Sequence, residues 1–172
     1  MTYTTSLDKL AKGTTFFVTV LFIAIVIGQV FSIEHGEITA TVITTFVLLI
    51  IYFGTFLFRP INYRLNENEL IIHRSISDIK INRNKIKHVE HLEKSTLAWS
   101  WKVFGVGGLF GYWGKFTNSK LGSMSWFATR RNKAVLIEMI SHKKIIITPD
   151  EPDKFVSDYN KQPDPGLATK IF

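Results

Sequence analysis

The sequence predicts a membrane α-helical hairpin followed by a mainly-β soluble domain that one C-terminal helix closes. Three observations predict it. Two runs of 21 residues, 13–33 and 38–58, hold no charged residue. Beyond Pro60 the apolar residues recur with period two, in short segments divided by turn clusters. After Asp150 the period lengthens to that of a helix. The chain has 172 residues, of which 46% are hydrophobic and 20% charged, which excludes an intrinsically disordered polymer.

Each apolar run, as a helix, reaches about 31 Å. The hydrocarbon core of a bilayer is about 30 Å thick. Backbone groups cannot go unpaired in lipid, so helices rather than strands are expected there. A cleaved leader is the competing account of the first run, since Lys9 and Lys12 precede it. The run is too long for that, Val30-Phe31-Ser32 is a poor cleavage site, and a second span follows at once. Lys9 and Lys12 flank the first span, Arg59 and Arg64 follow the second, and the connector Glu34-His35-Gly36-Glu37 has no Lys or Arg. Both termini are therefore expected on the cytoplasmic side. Thr41, Thr44, Thr45 and Thr55 are expected to bond carbonyls of their own helix. No ionisable residue interrupts either span, which argues against a proton relay.

Residues 59–172 carry 19 Lys/Arg against 11 Asp/Glu, so the basic excess belongs to the soluble part. Pro60 ends the second helix. The segment 63–74 reads as a hairpin around Asn66-Glu67-Asn68-Glu69. Ile86, Val89 and Leu92 recur by three, which fits a helical turn or a bulged strand equally. Over 97–104, Leu97, Trp99, Trp101 and Val103 alternate with Ser100 and Lys102, as in a strand. Residues 123–130 alternate too, with Met124, Trp126 and Ala128 on one face. The β-branched runs 134–140 and 144–148 flank Ser141-His142-Lys143 and read as another hairpin. Asp150 is placed to cap a helix over 150–161, whose stripe is Phe155, Val156 and Tyr159. The domain order is then 1–12 as a cytoplasmic segment, 13–58 as the hairpin, 59–161 as the β domain and 162–172 as a disordered tail.

The pattern resembles the bacterial pleckstrin-homology-like (PH domain-containing) two-span membrane proteins. The resemblance rests on Tyr63-Arg64-Leu65 leading to Leu70-Ile71-Ile72, on the Gly/aromatic stretch from Phe104 to Phe116, and on Ala134-Val135-Leu136-Ile137-Glu138 with Ile145-Ile146-Ile147-Thr148-Pro149-Asp150. It covers about 60–160. It implies an antiparallel PH-like barrel capped by the C-terminal helix, a binding scaffold, and no catalytic residues.

The segment 99–127 holds all four tryptophans, and six of the eleven glycines fall in 105–122. Its aromatics read either as core filling or as an interfacial loop, with Trp113, Tyr112 and Phe116 as ligand contacts. Arg83, Lys85 and Lys87 form one basic cluster; Arg130, Arg131 and Lys133 form another. Both are candidate contacts for anionic headgroups. Nucleotide loops fail: Gly114-Lys115 is followed by Phe116, and no Gly-x-Gly-x-x-Gly is complete. Nucleic-acid signatures are missing. His88 and His91 lack a third ligand, so neither metal nor cofactor is expected. With no cysteine, disulfides, thiolate metal sites and a cysteine nucleophile are excluded.

The expected function is a membrane-anchored, non-catalytic binding or scaffold module at the cytoplasmic face of a bacterial inner membrane. Its partners would be the bilayer together with anionic lipid, a membrane protein, or a second copy of itself. Two alternatives stand beside it: a subunit of a transporter or channel complex, and an enzyme with a site among Glu93, Arg130 and Glu138.

Overall fold

The computed structural model describes residues 1–33 and 38–161. The connector and the tail 162–172, expected to be disordered, lie outside the described residues. Two long helices are present, α1 (Lys9–Ile33) and α2 (Ile38–Leu57). Both are long and apolar enough to cross a membrane. They present bare apolar side chains outward, among them Phe16 and Phe46. Thr44 donates to the Ala40 carbonyl at 2.8 Å and Thr55 to that of Tyr52 at 2.7 Å. Thr45 instead donates across the hairpin to Gln29.

The β domain consists of two sheets. The first has the order β1 (Thr2–Thr4), β2 (Pro60–Leu65), β3 (Glu69–Arg74) and β4 (Ile79–Asn82), all antiparallel. The hairpin at 63–74 forms as expected, with Leu65 opposite Leu70. β1 was not foreseen. Thr2–Thr4 was read as part of a plain N-terminal segment, yet Tyr3 pairs opposite Tyr63 and is buried. Three residues are too short for a periodic signal, and only the neighbouring strand gives them a partner.

The second sheet contains β5 (Ile86–Leu92), β6 (Trp101–Gly107), β7 (Tyr112–Asn118), β8 (Gly122–Ala128), β9 (Ala134–Met139) and β10 (Lys144–Ile147). Its spatial order is β5-β9-β10-β8-β7-β6. One pair departs from the antiparallel expectation: β10 runs parallel to β8, with Lys144 opposite Met124. Parallel neighbours need a crossover. Here β9 supplies it, because the chain climbs β9 and turns back into the space between β9 and β8.

The spacing by three in β5 is a bulged strand, with the register shift between Ile86 and His88. Ile86 and Val89 bury toward one core and Leu92 toward another. The first core joins both sheets through Tyr63, Leu65, Ile72, Val135 and Ile147, and α3 (Pro152–Lys161) closes it with Phe155. The second gathers Tyr112, Phe116, Met124, Trp126, Leu136 and Ile146. Residues of β9 face both, so its apolar run is unbroken.

Two local expectations need correction. The strand predicted over 97–104 begins only at Trp101. A 3-10 turn at Lys94–Thr96 precedes it, and Trp99 takes a left-handed φ of 60°. Asn118 Nδ2 donates to the Thr96 carbonyl and to Ser100 Oγ, which bends the chain and buries Ser100. Asp150 does not cap α3. Its carboxylate accepts from Ser6 Oγ at 2.7 Å and Thr4 Oγ1 at 3.0 Å, and the helix starts at Pro152.

Candidate membrane-facing site

The β domain is built onto the end of the hairpin. β1 leads into α1 and lies beside β2, which follows α2, so both helix ends enter one sheet. The turn between β6 and β7 then packs against both helices. The Phe110 backbone N–H donates to Thr15 Oγ1 at 2.9 Å. The Phe110 ring meets Tyr52 and Phe56 edge-on, each at 5.2 Å between centroids. Trp113 lies against Phe58 at 5.4 Å. Tyr52 stacks on Phe22 and shares a hydrogen bond with Thr19 at 2.8 Å. Aromatic pairs of this kind contribute about 0.5–1.5 kcal/mol each beyond area burial.

The Gly/aromatic segment therefore divides three ways. Tyr112 and Phe116, expected as ligand contacts, are core residues; Phe116 stacks on Trp126 at 4.4 Å. Phe110 and Trp113 seal the junction with the hairpin. Trp99, Trp101, Val103 and Phe104 stay open, with Trp101 69% and Phe104 73% exposed. β6 is an edge strand, and an apolar edge is an association hazard unless something covers it. From Phe104 to Gly107 an extended chain covers about 10 Å, so this bare strand runs up to the hairpin.

The basic residues also sort by contact. Arg130 is a strap: its guanidinium pairs with Asp150 at 2.6 Å and donates to the Ser6 carbonyl at 2.9 Å. Partial burial works to raise the Asp150 pKa, but hydrogen bonds from Ser6 and Thr4 and the Arg130 charge outweigh it and hold the group below the usual carboxylate range. Lys133 donates to the Asp150 carbonyl at 3.0 Å. Arg131 donates its backbone N–H to Asp8 Oδ2 at 3.0 Å, its guanidinium to the Ser100 carbonyl at 3.2 Å, and lies over the Tyr112 ring. Burial, with Asp8 nearby, pushes the Tyr112 phenol up to about 12.

In the other cluster Arg83 is buried. It donates to the carbonyls of Glu67 and Tyr159, both at 3.0 Å, and stacks on Tyr159. Lys85 is exposed, and Lys87 pairs with Glu138 at 3.1 Å. The Glu93 carboxylate accepts from Ser95 Oγ at 3.2 Å, so Glu93, Arg130 and Glu138 each turn to different neighbours. His88 pairs with Glu90 and His91 with Asp153. Among the described residues no group of three metal-ligating side chains comes together. A cleft of about 630 Å³ beside the β2–β3 turn is walled by Glu67 and Glu69 together with Met1 and three neighbours, and by no Lys or Arg.

Sequence reasoning missed Phe110, Tyr52 and Phe56 as partners. The signal that could have found them is the apolar pair Leu109-Phe110 set between Gly108 and Gly111, beside an aromatic-rich end of the second span. No curated protein and no solved structure matches the chain. A family model described as bacterial PH domain matches residues 61–162, from β2 through α3. A two-sheet β domain closed by a C-terminal helix is what that match requires, and the chain belongs to the bacterial PH domain family.

Proposed function

We propose that this chain is a membrane-anchored, non-catalytic binding module, its β domain held at the cytoplasmic face of a bacterial membrane to recognise a membrane protein or anionic lipid. The observation that carries the proposal is the junction of Phe110 and Trp113 with Thr15, Tyr52, Phe56 and Phe58. It packs the domain against the hairpin, which supports a domain held close to the surface. The pairing of β1 with β2 supports a shared side for both hairpin ends. Lys9, Lys12, Arg59 and Arg64 around those ends favour the cytoplasm. Tethering raises the local concentration of the domain near membrane partners. The surface we assign to recognition is the bare edge β6.

Two measurements test this. Single cysteines at Ser157 and Gly36 have no native cysteine to compete with. In intact cells an impermeant maleimide should label Gly36→Cys and spare Ser157→Cys; the reverse pattern would sink the orientation. A photocrosslinking residue at Trp101 should capture a membrane protein or lipid in cells. If neither is captured, β6 is not the recognition surface.

A further inference from the structure

The structure assigns an anionic phospholipid headgroup site to a cleft between the first turn of α1 and the loops at 94–99 and 130–132. The inference rests on the membrane-anchored reading above. The cleft, about 440 Å³, is walled by Lys9, Lys12, Lys94 and Arg131. A second hollow of about 340 Å³ shares Lys94 and Arg131 with it and ends at Trp99. The hollows thus form one basic groove with an indole at its far end.

Charge in the groove is unbalanced. Lys9, Lys12 and Lys94 form no ion pair among the described residues. The carboxylate in the wall, Asp8, is already engaged. Its Oδ1 accepts from the Ala11 backbone N–H at 2.7 Å and from the Tyr112 hydroxyl at 3.4 Å, and its Oδ2 from the Arg131 N–H. Asp8 thereby caps α1, and the attraction for an anion comes from the basic side chains.

Position chooses lipid over a free anion. The uncharged run of α1 starts at Gly13, one residue past Lys12, so the lysines stand at the depth of headgroups. Two apolar side chains flank them, Leu10 at 58% and Trp99 at 85% exposure. Indoles prefer that interface. A phosphate between the lysines with the exposed Leu10 and Trp99 beside it matches a diacyl phospholipid, whereas a soluble phosphate would leave both apolar side chains uncovered.

The test uses the full chain in a zwitterionic detergent, titrated with dioleoylphosphatidylglycerol or dioleoylphosphatidylcholine and read by native mass spectrometry. The anionic lipid should be retained preferentially. The combined variant K9Q/K12Q/K94Q should weaken its retention roughly 100-fold, at about one kcal/mol or 5-fold per lysine. A control of equal charge loss, K80Q/K143Q/K161Q, removes three exposed lysines elsewhere and should leave retention unchanged. Equal loss in both variants, no loss in the first, or no preference over the choline lipid would each overturn the site. Displacement of the lipid by millimolar glycerol 3-phosphate would overturn the commitment to a membrane lipid. The maleimide pattern reports separately: a reversed topology with lysine-dependent retention would sink the orientation and leave the groove standing.

Discussion

Phe110 and Thr15 are 95 positions apart, yet the backbone N–H of the first donates to the hydroxyl of the second at 2.9 Å. Thr15 lies two residues into the uncharged run of α1. A turn of the β domain is therefore seated on the hairpin near the start of its first apolar run, and Phe110 is buried there between Tyr52 and Phe56.

Phe110→Ala should loosen that joint without unfolding the sheets. Truncating a buried phenylalanine costs about 3–5 kcal/mol in a well-packed core. In lipid nanodiscs, hydrogen exchange should speed up in residues 107–113, while β9 and β10 keep their protection. Unchanged exchange at 107–113 would mean that the ring contributes nothing to docking.

The Arg130–Asp150 strap should make the N-terminal segment acid-sensitive. The folded-state pKa of Asp150 is depressed, so its contribution is complete above the unfolded value of about 3.9. It is lost as pH falls through the lower folded value. Thr4 and Ser6 bond to the same carboxylate, so residues 1–6 should exchange faster from pH 4 downward. In Asp150→Asn that pH dependence should disappear, and stability at pH 7 should fall by about 1–2 kcal/mol.

Gly105 and Gly114 face each other across β6 and β7, both at positive φ, 111° and 121°. A Cβ on Gly114 would collide with the Phe104 carbonyl, and one on Gly105 with that of Trp113. Gly114→Ala should push β6 off the sheet. Protease should then cut within 101–107 at least ten times faster than in the parent, by the roughly 1.4 kcal/mol that tenfold represents. Equal cutting rates would show that the strands tolerate the side chain.

Arg83 and Lys85 are neighbours in one basic cluster but should behave oppositely. Arg83→Gln removes buried, charge-assisted hydrogen bonds to Glu67 and Tyr159 carbonyls and should cost about 1.5–3 kcal/mol in thermal or denaturant unfolding. Lys85→Gln, at an exposed position, should stay within about 0.5 kcal/mol. A similar loss from both would mean that the cluster acts through its charge.

The strands with clean alternation were legible one by one. Met124, Trp126 and Ala128 bury together as their spacing requires, and the pairs 63–74 and 134–147 form antiparallel hairpins because each brings its own turn. The alternation at 97–104 misled, because it ignored Asn118, whose amide bends residues 96–100 from 22 positions away. Of the candidate contacts, Arg130 and Arg131 line the proposed groove, where they join Lys9, Lys12 and Lys94. In the sequence alone Lys9 and Lys12 mark only orientation.

The sequence by itself determined the two apolar helices, the β character of the domain, its closing helix and the segment that carries the basic excess. Those properties are local: length, period and charge are carried by consecutive residues. Only the tertiary structure decided the pairing of Thr2–Thr4 with β2, the parallel contact of β10 with β8, and the sorting of the aromatics into core, junction and bare edge. Each of these depends on which distant segment arrives alongside. An aromatic residue has the same propensity whether Trp126 fills a core, Phe110 meets a helix or Trp101 stands open at an edge.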